Sequence, residues 1–373
     1  MARSWTARVW CACIAGTAVL LLVSGPASAG THSRGGPPVV SAPLADGLLG
    51  PLQMEVTPRG DAVVAQSLGA KVTLVSRSGG TTDLFDSPGA DGVALGPWGT
   101  MLTTKTVRPD GPPLPGGPDA ATIEIRSWAG ATRTLADVWA YEQANNPDGS
   151  QTYGLMGLSA ECAASLPPDM GLLPAPGGLD SHPYALATTR GGVYVADAGS
   201  NTIMFVDWWG RIRTVAVLPA QPPVVVTAEA ATANQLPPCV VGSSYVAEAV
   251  PTDVEVGPRG MLYVSTLPGG PEDPSLGARG SVYRINPWTG NTRRLATGFL
   301  GAANLAVTER GTVYVSELFG NRISKIVHGH AVKVLDVTAP SALEWHCGQL
   351  YAAIDSLPPE DGPPAGKIVT IRP

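Results

Sequence analysis

One short unit occurs six times along this chain: an apolar stretch, a glycine turn and a second apolar stretch. The six copies span 52–66, 91–105, 183–197, 252–266, 303–317 and 340–354. Each copy has a glycine at the same position, where a tight hairpin favours a residue that tolerates positive φ. The repeat therefore predicts a series of hairpins packed side by side.

Most copies continue with two further strands. Residues 202–206 and 211–217 flank one polar turn, and 281–285 and 292–296 flank another. Repeated four-stranded sheets are typical of β-propellers. The sequence thus predicts an all-β fold, a six-bladed β-propeller of four-stranded blades, formed by one domain over 30–373.

The sixth unit predicts how the ring closes. It has strands near Ala342, Leu350 and 367–371, and then the chain ends one strand short. Residues 39–42, which precede the first unit, are expected to supply that outer strand. Pairing of the two termini removes an open sheet edge.

Long insertions are expected on one face. We call the face at which the innermost strand of each blade begins the top face, and strand direction places there the inserts 106–121, 140–180, 219–250, 267–280 and 355–365. Inserts of this length are usually functional. One short helix is predicted among them, with Thr134 as its cap and with Leu135, Val138, Trp139 and Glu142 at helical spacing.

The first 29 residues are predicted to be a signal peptide. Arg3 and Arg8 precede an apolar run over 9–23, and small residues at 27–29 form a cleavage site. Residues 30–38 are expected to be a flexible start. We therefore expect a secreted monomer with no membrane span after signal cleavage.

Composition excludes some functions. Only 14% of residues are charged, with 24 basic and 30 acidic side chains, which argues against a nucleic-acid partner. The apolar share of 44% argues against disorder. The sequence shows no nucleophile elbow, Walker loop or zinc-type cluster, although a triad assembled from separate blades remains open.

Polar residues are expected to surround the top mouth of the central channel. The residues seven before each repeat glycine are Gln53, Gly92, Tyr184, Asp253, Asn304 and Ser341. The predicted ligand site comprises Gln53, Asp91, His182, Tyr184, Asp253 and Asn304. Of these, His182 is the candidate catalytic residue.

Three segments resemble the ScyD/ScyE family: Val-Trp-Ala-Tyr-Glu-Gln-Ala-Asn-Asn-Pro-Asp-Gly at 138–149, Asp-Ser-His-Pro-Tyr at 180–184, and 250–260. The resemblance implies an exported, NHL-like, TolB-like propeller without an assigned chemistry. Members tend to have Asn at the position of His182 and Gly at that of Ala185. The chain is also similar to the NHL signature at Asp197/Asn201 and Glu317/Asn321, which are expected to bond to loop backbone.

The architecture is similar to that of gluconolactonase, paraoxonase and strictosidine-synthase-like propellers. Six-bladed lactonases place calcium at the channel mouth, which makes Asp253 and Asn304 candidate metal ligands here. Calcium takes six to eight oxygen ligands, whereas this ring offers one carboxylate. A polar channel that requires no cofactor is the alternative to a Ca²⁺ site.

The cysteines beyond the signal peptide predict one disulfide. Cys162 and Cys239 lie in the two inserts that flank the third blade, whereas Cys347 lies in a bottom turn. A disulfide needs Cα atoms within about 7 Å. We expect Cys162 to pair with Cys239 and Cys347 to stay unpaired; two buried free thiols are the alternative.

Three functions remain open. The first is a secreted binding or scaffold protein that recognises an unknown small molecule or an extracellular protein or polymer through the top face and channel mouth. The second is a calcium-assisted lactonase- or esterase-like hydrolase. The third is an isomerase or synthase acting on a secondary metabolite, and fold alone does not decide among them.

Overall fold

The computed structural model describes residues 36–108, 117–127, 129–167, 171–270, 274–359 and 362–373. The predicted signal peptide at 1–29 and most of the predicted flexible start at 30–38 lie outside this part of the chain. In the part described, no helix has the length and apolarity needed to cross a membrane.

The first half of the chain forms three antiparallel sheets. Strands β1 (Val39–Val40) and β2 (Ala45–Leu48) precede them. Sheet 1 contains β3 (Pro51–Val56), β4 (Ala62–Gln66), β5 (Lys71–Val75) and β6 (Thr81–Asp86). Sheet 2 contains β7 (Val93–Leu95), β8 (Met101–Val107), β9 (Ala120–Arg126) and β10 (Thr132–Asp137). After α1 (Val138–Asn145), β11 (Thr152–Met156), α2 (Ala160–Ser165) and β12 (Ala175–Pro176), sheet 3 contains β13 (Pro183–Thr188), β14 (Gly192–Asp197), β15 (Thr202–Asp207) and β16 (Ile212–Val217).

The second half repeats the pattern. After β17 (Val224–Val225), α3 (Ala228–Ala233) and β18 (Ser244–Val246), sheet 4 contains β19 (Pro251–Val256), β20 (Leu262–Thr266), β21 (Gly280–Ile285) and β22 (Thr292–Phe299). Sheet 5 contains β23 (Ala302–Val307), β24 (Val313–Glu317), β25 (Arg322–Val327) and β26 (His330–Asp336), and one parallel pair, Thr297 opposite His330, joins sheets 4 and 5 into an eight-stranded sheet. Sheet 6 contains β27 (Leu343–His346), β28 (Gln349–Ile354) and β29 (Gly366–Arg372). Short 3₁₀ turns occupy Ser67–Gly69, Pro97–Gly99, Pro238–Val240, Pro258–Gly260 and Pro274–Leu276.

The second strands of the meanders explain how the sheets pack. Every residue of β4, β14, β20 and β24 is buried, because each of these sheets is covered on both faces by neighbouring sheets. The innermost strands β3, β7, β13, β19, β23 and β27 contact one another in that order, and β27 contacts β3. These features make the fold an all-β propeller, as the repeat predicts.

The two ends of the described chain pair in sheet 6. Val39 lies opposite Arg372 and Val40 opposite Ile371. The Ser41 amide donates to the Thr370 carbonyl at 2.9 Å, and β2 continues along β29. The terminal strand expected at 39–42 is thus present as β1, and the separate strand β2 continues the pairing with β29 to Leu48.

The inserts are more ordered than the sequence suggested. Thr134 and Leu135 belong to β10, so helix α1 begins three residues later than predicted, and its cap is Asp137, whose carboxylate accepts from the Ala140 amide at 2.9 Å. The expectation of one helix was wrong, since α2 and α3 are also present. Ser159 and Thr227 cap them through side-chain hydrogen bonds, signals that sequence inspection overlooked.

Inserts 140–180 and 219–250 form a sheet of their own. Its strand order is β12-β11-β18-β17, so that each insert supplies two strands. We call this four-stranded unit, together with α2 and α3, the insert module. The insert expected at 106–121 is shorter than predicted, because β8 continues to Val107 and β9 begins at Ala120.

Candidate functional site

The predicted mouth residues of sheets 1, 4 and 5 are linked by hydrogen bonds across the channel. Gln53 donates its Nε2 to the Thr252 carbonyl at 2.8 Å and accepts at Oε1 from Asn304 Nδ2 at 2.8 Å. Asp253 Oδ2 accepts from the Leu305 amide at 3.0 Å. Gln53, Asp253 and Asn304 are all buried. These hydrogen bonds therefore join the innermost strands of sheets 1, 4 and 5 at the mouth.

Two of the other predicted mouth residues, Tyr184 and Ser341, lie elsewhere. In sheet 5, the last residue paired in the hairpin is Val307, which lies three residues after Asn304. In sheet 3, the last residue paired in the hairpin is Thr188, and the residue three before it is Ala185. Tyr184 is thus displaced by one residue from the ring. Ser341 also leaves the channel, because its hydroxyl donates to the Pro51 carbonyl at 2.7 Å and contacts Ser356 Oγ at 2.6 Å. It joins sheet 6 to sheet 1.

The predicted metal ligands do not fit calcium at the mouth. Asn304 Oδ1 accepts from the Leu343 amide at 2.9 Å, and Asp253 Oδ2 and Gln53 Oε1 also accept protein donors. A bound cation would have to displace these hydrogen bonds. Across the described ranges, no group of three or more His, Cys, Asp and Glu side chains is arranged to hold a metal.

Three glutamates face the channel below the mouth. Glu55 and Glu255 lie two residues after Gln53 and Asp253, and Glu344 follows the Leu343 amide that Asn304 binds. With Thr188 and Val256 they line a cavity of about 150 Å³. Period-two alternation from Gln53 and Asp253 could have identified Glu55 and Glu255, since alternate residues face the same side of a sheet. The same step from Ser341 gives Leu343, so Glu344 could not be found in this way.

These carboxyl groups favour their protonated forms. Removal from water raises the pKa of Glu55 to about 7 and that of Asp253 to about 7. Burial, followed by repulsion from the neighbouring carboxylates, holds the pKa values of Glu255 and Glu344 well above the usual range. The channel thus contains a cluster of carboxyl groups that disfavour one another's ionisation.

His182 and Asp91 form a pair at the top face. His182 Nε2 lies 2.7 Å from Asp91 Oδ2, and both side chains are partly exposed. The Tyr184 ring packs edge-on against the imidazole, with ring centroids 5.7 Å apart. The sequence thus identified three residues that meet in space, although they are separate from the buried group of Gln53, Asp253 and Asn304.

The NHL-like residues of sheet 3 tie neighbouring sheets together. Asp197 is fully buried and accepts from the His182 amide at 2.7 Å and from Ser181 Oγ at 2.6 Å. Asn201 Oδ1 accepts from the Val250 amide at 2.8 Å. Glu317 and Asn321 do the same in sheet 5, to Leu300 and Ala339. Their bonding to loop backbone agrees with the sequence interpretation.

A disulfide holds the insert module together. Cys162 and Cys239 are bonded, with Cα atoms 5.8 Å apart and a sequence separation of 77. Cys347 is also in a disulfide, so the expectation that it stays unpaired was wrong. The distance argument had excluded only Cys162 and Cys239 as partners, and Cys347 is exposed on its turn.

The insert module contains an apolar cavity of about 300 Å³ that is partly open to solvent. Its walls come from both inserts and from the segment around Gly270. The lining residues are Leu155, Leu172, Val226, Ala230, Asn234, Leu236, Tyr245, Gly270 and Leu276. No pattern in the sequence pointed to this cavity, because it needs the pairing of β11 with β18.

Comparisons with known proteins support the fold. No family model matches the chain, and no curated protein does. Among solved structures, the PQQ-bound aldose sugar dehydrogenase of Streptomyces coelicolor is similar, with 14% identity, a TM-score of 0.53, and coverage of 90% of this chain and 98% of that one. A virginiamycin B lyase of Staphylococcus aureus in complex with quinupristin has 12% identity and a TM-score of 0.50, over 90% of this chain and 99% of that one. A luciferin-regenerating enzyme has 11% identity and a TM-score of 0.50, over 90% and 95%.

Proposed function

We propose that this chain is a secreted binding propeller that holds a small, mainly apolar ligand in the cavity of the insert module. The observation that carries the proposal is the cavity itself. Its volume of about 300 Å³ is at the lower end of the range for small-molecule sites, which are mostly apolar with a few polar groups. Asn234 and Tyr245 provide those polar groups here.

Rigid support for the cavity favours binding. The Cys162–Cys239 bond closes a loop of about 77 residues, and the paired strands β11 and β18 contribute Leu155 and Tyr245 to the cavity wall. A site held in its binding conformation loses less entropy when the ligand binds. The propeller then serves as the platform that carries this module on its top face.

The cavity can be tested with an apolar fluorescent probe. Ala230 is buried and lines the cavity, whereas Ala228 is exposed on the same helix. We expect N-phenyl-1-naphthylamine to bind the purified protein, and Ala230→Leu to weaken its Kd at least about tenfold by filling the cavity. Ala228→Leu is the matched control. Equal affinities for the two variants would reject the cavity as the site.

The finer architecture forms part of this proposal. The circular order of contacts among the innermost strands supports six blades in one domain, and the motifs at 138–149 and 180–184 support membership in the ScyD/ScyE family. Export after cleavage at residue 29 can be checked by N-terminal sequencing of the protein that cells release. A mature chain that begins near Gly30 is expected, and retention of Arg3 and Arg8 would contradict it.

Proton-transfer catalysis at the top face is a second candidate, favoured by the His182–Asp91 pair. When Nε2–H donates to Asp91, Nδ1 is left as the acceptor of the ring. Such a base suits lactone or ester hydrolysis, or isomerisation of a secondary metabolite. Because the mouth residues do not fit calcium, the hydrolase version would proceed without a metal there.

Assay of phenyl acetate and γ-lactone hydrolysis tests the second candidate. His182→Gln should abolish any activity, and Asp91→Asn should lower kcat and change its pH dependence. The same activity in wild type and His182→Gln would exclude His182 as the base. Probe binding in the insert cavity does not depend on this result.

A further inference from the structure

We propose that Glu142, Asn146 and Asp148 form a calcium site at the base of the insert module. The site lies where helix α1 ends and the chain turns towards β11. It is separate from both the channel mouth and the apolar cavity. Neither the family resemblance nor the comparisons assign a metal to this position.

Buried oxygen atoms without partners carry this inference. Glu142 is fully buried, and within the described structure neither of its carboxylate oxygens has a hydrogen-bond partner. Asp148 is 1% exposed, and its Oδ1 is also without a partner there, as is Asn146 Oδ1. A buried polar atom without a partner costs about 1–3 kcal/mol, and more when it is charged. Four such oxygens from three nearby residues require a donor or a cation.

Helix and loop geometry bring the three residues together. Asn146 caps α1 by donating its amide to the Glu142 carbonyl at 2.8 Å. The Asn146 side chain donates Nδ2 to the Gly177 carbonyl at 3.2 Å, which leaves Oδ1 as its free acceptor. Asp148 Oδ1 adjoins the same glycine, where a Cβ would clash with it. The side chains of Asn146 and Asp148 thus lie around Gly177, and the Glu142 carboxyl group is close enough to Asp148 for their charges to interact.

The other oxygen of Asp148 is already occupied. Oδ2 accepts from Tyr153 Oη at 3.0 Å and from Asn201 Nδ2 at 2.9 Å. These bonds orient the carboxylate between the insert module and sheet 3. They leave Oδ1 directed towards the unpartnered group.

Local charge favours a cation over a further hydrogen-bond donor. Asp180, Asp197 and Glu248 also act electrostatically on Glu142 or Asp148. Among the described residues, the ion pair found in this acidic region joins Arg108 to Asp180, with a nitrogen–oxygen distance of 2.9 Å. A divalent cation would balance the charges of Glu142 and Asp148.

The donor set selects calcium. Calcium accepts carboxylate, amide and carbonyl oxygens and water at six to eight positions, so two carboxylates and one amide suffice as its protein core. Magnesium keeps several of its own waters in a strict octahedron, which suits this buried position less. The site has two carboxylates and one amide, so it is not a cluster of three or more His, Cys, Asp or Glu ligands. The described structure contains no cluster of that kind.

Thermal melting with calcium alone tests the site. After dialysis against a chelator, Ca²⁺ at 100 times its Kd should raise the Tm of the full chain by about 3–6 °C, because the cation binds only the folded state. The same concentration of Mg²⁺ should give a smaller shift. Titration calorimetry should give one calcium per chain.

Two variants and one control locate the binding. Glu142→Gln and Asp148→Asn should each abolish the calcium shift while remaining folded by circular dichroism. Glu344→Gln makes the same change at a glutamate of the channel cavity, and should keep the shift. The site would be refuted by a wild type that does not respond, by an unchanged shift in both variants, by an equal response to Mg²⁺, or by loss of the shift in Glu344→Gln alone.

Discussion

The glutamates of the channel predict that this protein loses stability as the pH rises. The pKa of Glu55 is raised from 4.5 to about 7 in the folded state. An acid with a raised pKa contributes stability that is complete below its unfolded value and is lost as the pH passes the folded value. For Glu55 that window runs from about pH 4.5 to about pH 7. Asp253, Glu255 and Glu344 act in the same direction.

The size of the effect follows from the shift. One unit of pKa corresponds to about 1.36 kcal/mol, so a shift from 4.5 to about 7 gives an upper value of about 3 kcal/mol. Glu55 is partly open to the channel, and water there reduces the value to about 2 kcal/mol. Neutralising this one residue should therefore raise the free energy of unfolding by about 2 kcal/mol at pH 8.

Denaturant unfolding from pH 5 to pH 8, in the presence of a chelator, measures this. We expect the wild-type unfolding free energy to fall over that range, and Glu55→Gln to be the more stable protein at pH 8 but not at pH 4.5. Glu229→Gln is the matched control, since Glu229 is exposed and its pKa is lowered by backbone hydrogen bonding. Wild-type stability that rises with pH, or a Glu55→Gln variant that is weaker at pH 8, would refute the reasoning.

Three further results are expected from unfolding measurements. Replacing Cys162 and Cys239 by alanine opens a loop of 77 residues and should cost up to about 4.5 kcal/mol by the chain-entropy relation; no loss of stability would mean that the insert module holds its shape without the bond. Deleting the chain through Pro43 removes the pairing of β1 with β29 and should cost about 2–3 kcal/mol, whereas unchanged melting would show that ring closure does not depend on this strand. Asn201→Ala leaves the Val250 amide without its acceptor and should cost about 1–3 kcal/mol, and a neutral effect would remove Asn201 from the junction between sheets 3 and 4.

The architecture could be predicted because it repeats. A glycine turn between two apolar stretches has one simple solution, a hairpin, and its recurrence predicts stacked sheets. The strand needed to complete sheet 6 was identified at Val39 and Val40 because the sixth unit ended one strand short of the four-stranded pattern. Cys162 and Cys239 could be paired because strand direction placed their inserts on one face.

The site was harder to predict because it depends on register. The hairpin of sheet 3 pairs Thr188 with Val193, one residue tighter than the pairing of Val56 with Ala62 in sheet 1. Counting seven residues back from the repeat glycine therefore gave Tyr184, whereas Ala185 is the residue that occupies the ring position in sheet 3. A single residue of turn length decides which side chain faces the channel.

The hydrogen bonds of Gln53 join the innermost strands of three sheets. Its amide nitrogen donates to the Thr252 carbonyl of sheet 4, and its Oε1 accepts from Asn304 of sheet 5. The glutamates of sheets 1, 4 and 6 line a cavity whose wall also includes Val256, which is 37% exposed. This cavity and the cavity of the insert module have no lining residue in common. A ligand held in the insert module therefore does not touch the titrating carboxyl groups, and we expect its binding to leave their pH response unchanged.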